Sequence, residues 1–139
     1  MKISKTNKAK IPFFKPWITN EDKKSIMNAL DNSLLTDGPI LDKFEKKFAS
    51  FTGAKYAIGV SNATSALFLS LKALGIGKGD EVIIPDITFV ATANAVLQAG
   101  ATPVLADVEI DSMNISSESI IKNINSKTKG IIPVHFAGR

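Results

Sequence analysis

Three short runs of this 139-residue chain set binding-capable residues where a strand gives way to a helix. The first is Ser61-Asn62-Ala63-Thr64-Ser65-Ala66, whose small side chains let a ligand come close to the backbone. The hydroxyls of Thr64 and Ser65, with the N–H groups that a first helical turn leaves without acceptors, make a natural phosphate cup. Ser and Thr at such a place also serve simply as helix caps. The second run, Pro85-Asp86-Ile87-Thr88-Phe89-Val90, sets the ring of Phe89 just past a strand end. There it either lies flat against a planar ligand or packs into the core. The third, Pro133-Val134-His135-Phe136-Ala137-Gly138, holds the chain's single histidine. His135 is either a contact for substrate or cofactor or a hydrogen-bonded structural residue.

Other runs fail on context. Gly75-Ile76-Gly77-Lys78-Gly79 has the glycines of a dinucleotide fingerprint but follows a helix and precedes a strand, the reverse of the required order, so it reads as a turn. Asp107, Glu109 and Asp111 offer oxygen ligands for a hard cation, yet Asp111-Ser112 leads into a turn and a solvated loop is the simpler reading. The chain has no cysteine, which removes disulfides, thiolate nucleophiles and cysteine-held metals and suits a reducing, cytoplasmic setting. One histidine excludes a site of several imidazole ligands.

The elements that would position the three runs follow from periodicity and punctuation. Thr19 caps a helix with Glu21 and Asp22 in its first turn and Ile26, Ala29 and Leu30 on one face. Residues 32–39 break it, and a second helix carries Leu41, Phe44, Phe48 and Phe51 at helical spacing until Gly53. Strands are expected over 56–61, 81–85, 102–108 and 130–136, with helices over 63–74, 88–99 and 117–124 between them. Short Val/Ile-rich strands alternating with helices imply an α/β fold with a mostly parallel sheet and right-handed crossovers.

About 45% of the residues are hydrophobic and 22% charged, an ordinary globular composition. The net charge of +4 is not spread evenly. Lys2, Lys5, Lys8, Lys10 and Lys15 crowd the first fifteen residues, and the remainder holds 12 basic against 13 acidic groups. The division is therefore a basic arm and extended lead-in over 1–16 and an α/β body over 17–139. Without interleaved aromatics or arginine the arm reads as a solvated terminus, not a nucleic-acid contact. Neither a membrane span nor a signal peptide is expected.

Taken together, the loops carry a resemblance. The blocks are Leu35-Thr36-Asp37-Gly38-Pro39 with Phe44-Glu45, the Ser61–Ala66 run, and Ala73-Leu74-Gly75-Ile76-Gly77-Lys78-Gly79-Asp80-Glu81-Val82-Ile83. They continue with Thr88-Phe89-Val90-Ala91-Thr92-Ala93-Asn94-Ala95, Gly100-Ala101-Thr102-Pro103-Val104 and Thr128-Lys129-Gly130-Ile131-Ile132-Pro133-Val134-His135. In this order and spacing they resemble the pyridoxal-phosphate-dependent sugar aminotransferases of the DegT/DnrJ/EryC1/StrS group.

The resemblance implies the N-terminal part of the large domain of the aspartate-aminotransferase-like, fold type I architecture, working as a homodimer. It implies that the backbone around Ala63, Thr64 and Ser65 holds the phosphate of pyridoxal 5'-phosphate and that Phe89 stacks on its pyridine ring. Ala63 stands where many members have glycine. Gly38 is expected to border the sugar, and His135 is taken with it as a candidate substrate contact. The implied reaction moves an amino group, with glutamate as donor, onto a nucleotide-linked keto-sugar in amino-sugar and cell-surface polysaccharide synthesis. None of the sixteen lysines matches the family's Schiff-base position, and no aspartate matches the pyridinium partner; both are expected beyond Arg139. The chain therefore reads as an N-terminal fragment, inactive alone, with exposed apolar faces that favour aggregation. Two alternatives stay open: a sugar dehydratase of the same family, with histidine in place of that lysine, and a non-catalytic truncated remnant.

Overall fold

The computed structural model describes residues 12, 14–31 and 34–139. Most of the basic arm, including Lys2, Lys5, Lys8 and Lys10, lies outside the described residues, as does Asn32 of the first helix break. The chain forms two compact units, Met1–Gly59 and Val60–Arg139.

In the first unit, α1 (Asn20–Leu30) starts at a capping box. The Thr19 hydroxyl accepts from the Asp22 N–H at 3.2 Å, while the Asp22 carboxylate accepts from the Thr19 N–H at 2.7 Å. Helix α2 (Pro39–Thr52) opens with proline, whose missing N–H costs nothing in a first turn, and ends at Gly53, where φ of 72° suits a residue without Cβ. The Phe44 and Phe48 rings, one turn apart, lie 5.8 Å apart.

The second unit holds α3 (Ala63–Ala73), β1 (Glu81–Pro85), α4 (Ala91–Ala99), β2 (Thr102–Ala106), α5 (Ser117–Asn123) and β3 (Thr128–Ile131), then a 3-10 turn over Phe136–Gly138. The three strands form one sheet in the order β2-β1-β3, and both pairings are parallel. Central β1 pairs Ile83 with Val104 on one side and with Ile131 on the other. Alternation sends Val82 and Ile84 to one face, where they pack with Leu71 and Ile76 and with Ala95, Val96, Ala99 and Ala101. Alanines on α4 let that helix approach the sheet closely. Gly100 ends it with φ of 88°.

The expected α/β class with a parallel sheet is what forms, but some boundaries differ. Residues 56–61 are not a strand: the segment has no ladder partner among the described residues, and the Gly59 N–H donates instead to the Glu45 carboxylate at 2.6 Å. A strand exists only where a neighbour takes its hydrogen bonds, which hydropathy cannot supply. Helix α4 begins at Ala91, three residues later than expected, leaving Thr88 and Phe89 in the loop. Strand β2 stops at Ala106, and β3 covers Thr128–Ile131 where 130–136 was expected. Beyond Ile132, whose N–H still donates to the Ile83 carbonyl, the backbone bonds pass to the 3-10 turn.

Candidate functional site

In open α/β sheets, loops at the carboxyl ends of strands are where ligands meet backbone donors and helix starts. Helix α3 leads through the Gly75–Gly79 turn into β1, so the two run antiparallel. Eleven helical residues rise about 16 Å and five strand residues about 16 Å. The start of α3 therefore lies level with the end of β1, where α4 begins. Helices α3 and α4 pack together, and their other ends also meet: a Cβ on Gly77 would stand 3.5 Å from the Ala99 carbonyl oxygen. Both helix N-termini thus share the carboxyl end of β1.

At the start of α3 the capping residue is Asn62, with extended φ of −168°. Its Oδ1 accepts from the Ser65 N–H at 2.9 Å, and its carbonyl accepts from the Ala66 N–H at 3.1 Å. The sequence reading gave capping to Ser and Thr; Asn62 takes it, a residue type equally suited to the task. Positions one and two of the helix, Ala63 and Thr64, have N–H groups that no helical carbonyl can accept. The Ser61 and Ser65 hydroxyls lie 3.1 Å apart on the same turn. Two helix-terminal N–H groups, the positive end of α3 and nearby hydroxyls form a donor set that fits a phosphate group.

The Phe89 ring is 77% exposed and does not pack into the core of this unit. Its carbonyl accepts from the Thr92 N–H at 3.0 Å, and the hydroxyls of Thr88 and Thr92 meet at 2.9 Å. Val90, at the cap position of α4, contributes no side-chain bond. An exposed aromatic ring at the start of α4 and a phosphate-sized donor set at the start of α3, at the same end of the sheet, are the parts a planar phosphorylated ligand needs. The residues present therefore fit the phosphate and ring of pyridoxal phosphate.

His135 follows β3 and is exposed; its Nδ1 lies 2.9 Å from the Arg139 carbonyl oxygen. Around it Asn114 Oδ1 accepts from the Phe136 N–H at 2.9 Å, and Asn114 Nδ2 donates to the Arg139 carbonyl at 3.3 Å. Gly38 belongs to the other unit, where it precedes α2 with φ of 116°, and its N–H donates to Asp37 Oδ1 at 2.7 Å. A cleft of about 520 Å³ in that unit is lined by apolar residues of α1 and α2, among them Ile26, Leu30, Ile40 and Phe44. The glycine run 75–79 is a turn, with the Gly77 N–H held by Asp80 Oδ2 at 2.9 Å. Among the described residues no three acidic or imidazole side chains gather as metal ligands, and no helix is long and apolar enough to cross a membrane. Sequence reasoning missed Thr92 and Glu45 as partners; a threonine inside an alanine-rich helix was the available signal for the first.

Known proteins are similar to this chain in sequence and in fold. The chain is 43% identical over 129 residues to the Bacillus subtilis (strain 168) spore coat polysaccharide biosynthesis protein SpsC, covering 93% of this chain and 33% of the relative. The Streptococcus pneumoniae protein Spr1654, solved in a PMP form, superposes with a TM-score of 0.85 at 35% identity, over 92% of this chain and 32% of that one. S. venezuelae DesV gives a TM-score of 0.81 at 38% identity, over 86% and 32% respectively. The α/β arrangement matches part of the fold type I pyridoxal-phosphate aminotransferase structures, and the chain spans about a third of the length of these relatives. With residues 16–139 matching throughout, the chain belongs to the DegT/DnrJ/EryC1/StrS aminotransferase family.

Proposed function

We propose that this chain is the phosphate- and ring-binding part of a pyridoxal-phosphate-dependent aminotransferase that acts on a nucleotide-linked keto-sugar, with glutamate as amino donor. What supports the reading is that the lengths and packing of α3, α4 and β1 bring two helix starts to the same end of the sheet. One offers the N–H groups of Ala63 and Thr64 with the Ser65 hydroxyl, and the other offers the open Phe89 ring. Ala63, Thr64 and Ser65 would bind the phosphate, with the positive end of α3 balancing its charge. Phe89 would cover one face of the pyridine ring and exclude water from it. When bound, pyridoxal phosphate supplies the electron sink that lets an amino group pass between carbon skeletons. Gly38 would border the sugar and His135 would contact substrate.

The proposal extends to cytoplasmic work as a homodimer in cell-surface polysaccharide synthesis; the polysaccharide role named for SpsC supports it. On this reading none of the sixteen lysines bonds the cofactor and no aspartate here keeps its ring nitrogen protonated, so the 139 residues alone should not turn over. Two measurements test this. Amino transfer from glutamate to a nucleotide-linked keto-sugar is followed as 2-oxoglutarate release by the protein encoded through the whole reading frame. The reading frame beyond codon 139 is then read for an aspartate on a strand and a later lysine in a Ser-rich loop. Transfer with that pair supports the proposal, a histidine at the lysine's place moves it to dehydration, and turnover by the 139-residue chain alone overturns the reading of that chain as inactive.

A further inference from the structure

Thr92 sits in the first turn of α4 and is 5% exposed, the one buried polar side chain among the described residues. A valine would fill the same space without taking a hydroxyl out of water. What the hydroxyl gains is Thr88 Oγ1 at 2.9 Å, one helical turn back and outside the helix. Thr92 also donates its N–H to the Phe89 carbonyl at 3.0 Å. One residue therefore grips the loop on both sides of the Thr88–Phe89 peptide, where Val90 leaves the helix start without a side-chain cap. The Phe89 ring is too exposed for packing to fix it, so its direction is set by the backbone that carries it.

We infer that Thr92 is a positioning residue that acts through Thr88 and the Phe89 backbone to present the Phe89 ring to a planar, phosphorylated heteroaromatic ligand. The inference rests on the reading of Phe89 as a stacking residue. It differs from a capping role because its effect falls on the ring of the ligand and leaves the phosphate untouched.

The test measures binding of pyridoxamine 5'-phosphate and of inorganic phosphate by amide shifts of the 139-residue chain. Pyridoxamine 5'-phosphate is used because it lacks the aldehyde that would bond to the sixteen lysines. Phe89→Ala should lower affinity for the ring-bearing ligand about 2- to 10-fold, the range of an aromatic contact, with phosphate affinity unchanged. Thr92→Val should reproduce that selective loss, and Thr92→Ser, which keeps the hydroxyl, should restore it. Thr88→Ala, at a half-buried site, removes the other half of the pair without entering the core and should behave like Thr92→Val.

If Phe89→Ala shows the loss while Thr92→Val and Thr88→Ala bind as the parent does, the inference is overturned and the stacking reading stands. Equal losses in Thr92→Val and Thr92→Ser mean packing, which also overturns it. If the parent chain does not prefer the ring-bearing ligand to phosphate, the stacking reading itself fails and the inference falls with it.

Discussion

Replacing Asn62 separates two roles that the start of α3 can play. Asn62→Ala removes the acceptor that holds the Ser65 N–H at 2.9 Å, a cap worth about 1 kcal/mol. The helix itself survives, because Leu71 is buried and Leu67 and Phe68 pack on the core. In a unit of this size that loss lowers the melting temperature by roughly 4–8 °C. Asn62→Asp keeps an acceptor and adds a negative charge at the positive end of α3, so stability should hold or rise by about 0.3–1 kcal/mol. The same charge opposes a bound anion. Over the roughly 5–6 Å between neighbours on a helical turn, a unit charge contributes about 0.8–3 kcal/mol for dielectrics between 80 and 20. Phosphate affinity should therefore fall roughly 4- to 150-fold, and less at high salt. Thermal unfolding and a phosphate titration at two ionic strengths read both effects. Undiminished phosphate affinity in the Asn62→Asp variant would refute the assignment of an anion to this helix start.

Ile84→Ala, at a fully buried site of β1, should cost about 2–5 kcal/mol in denaturant unfolding, whereas Leu105→Ala, at a side chain 61% exposed, should stay within about 0.5 kcal/mol. The Asp22 carboxyl is held below its ordinary 3.8 by the Thr19 backbone N–H and then by the Thr19 hydroxyl. A lowered folded value means its contribution to α1 is complete above 3.8 and fades as pH falls through that lower value. Asp22→Asn should flatten the acid dependence of amide shifts in α1. Trp17, Phe51 and Ile58 are more than four-fifths exposed, so the chain should bind 8-anilinonaphthalene-1-sulfonate and associate as concentration rises; a strict monomer at every concentration that leaves the dye dark would count against this.

What was legible in the sequence followed from local chemistry. Thr19 with Asp22, Pro39, Gly53 and Gly100 mark helix ends through caps and positive φ, and those boundaries fell within a residue or two. The apolar run Val82–Pro85 announced the central strand because it is buried on both faces. Residues 56–61 misled because pairing is a property of the neighbour, and their Gly59 N–H found a carboxylate. The late start of α4 was hidden for a similar reason. Thr88 looks like a helix-starting residue, but it stays outside α4 with its hydroxyl 2.9 Å from that of Thr92, a pairing that hydropathy does not show. The ligand-facing loops were legible as loops, but that Asn62 would cap α3 and leave Ala63 and Thr64 free to donate required the backbone.

The central claim is that Ala63, Thr64, Ser65 and Phe89 form one site for a phosphorylated pyridine. Its most direct test is a titration of the isotope-labelled chain with pyridoxamine 5'-phosphate, following every backbone amide. The account predicts saturable shifts concentrated at Ala63, Thr64, Ser65 and the Thr88–Val90 loop. Shifts confined to the lysine-rich first fifteen residues, or none that saturate, would contradict it.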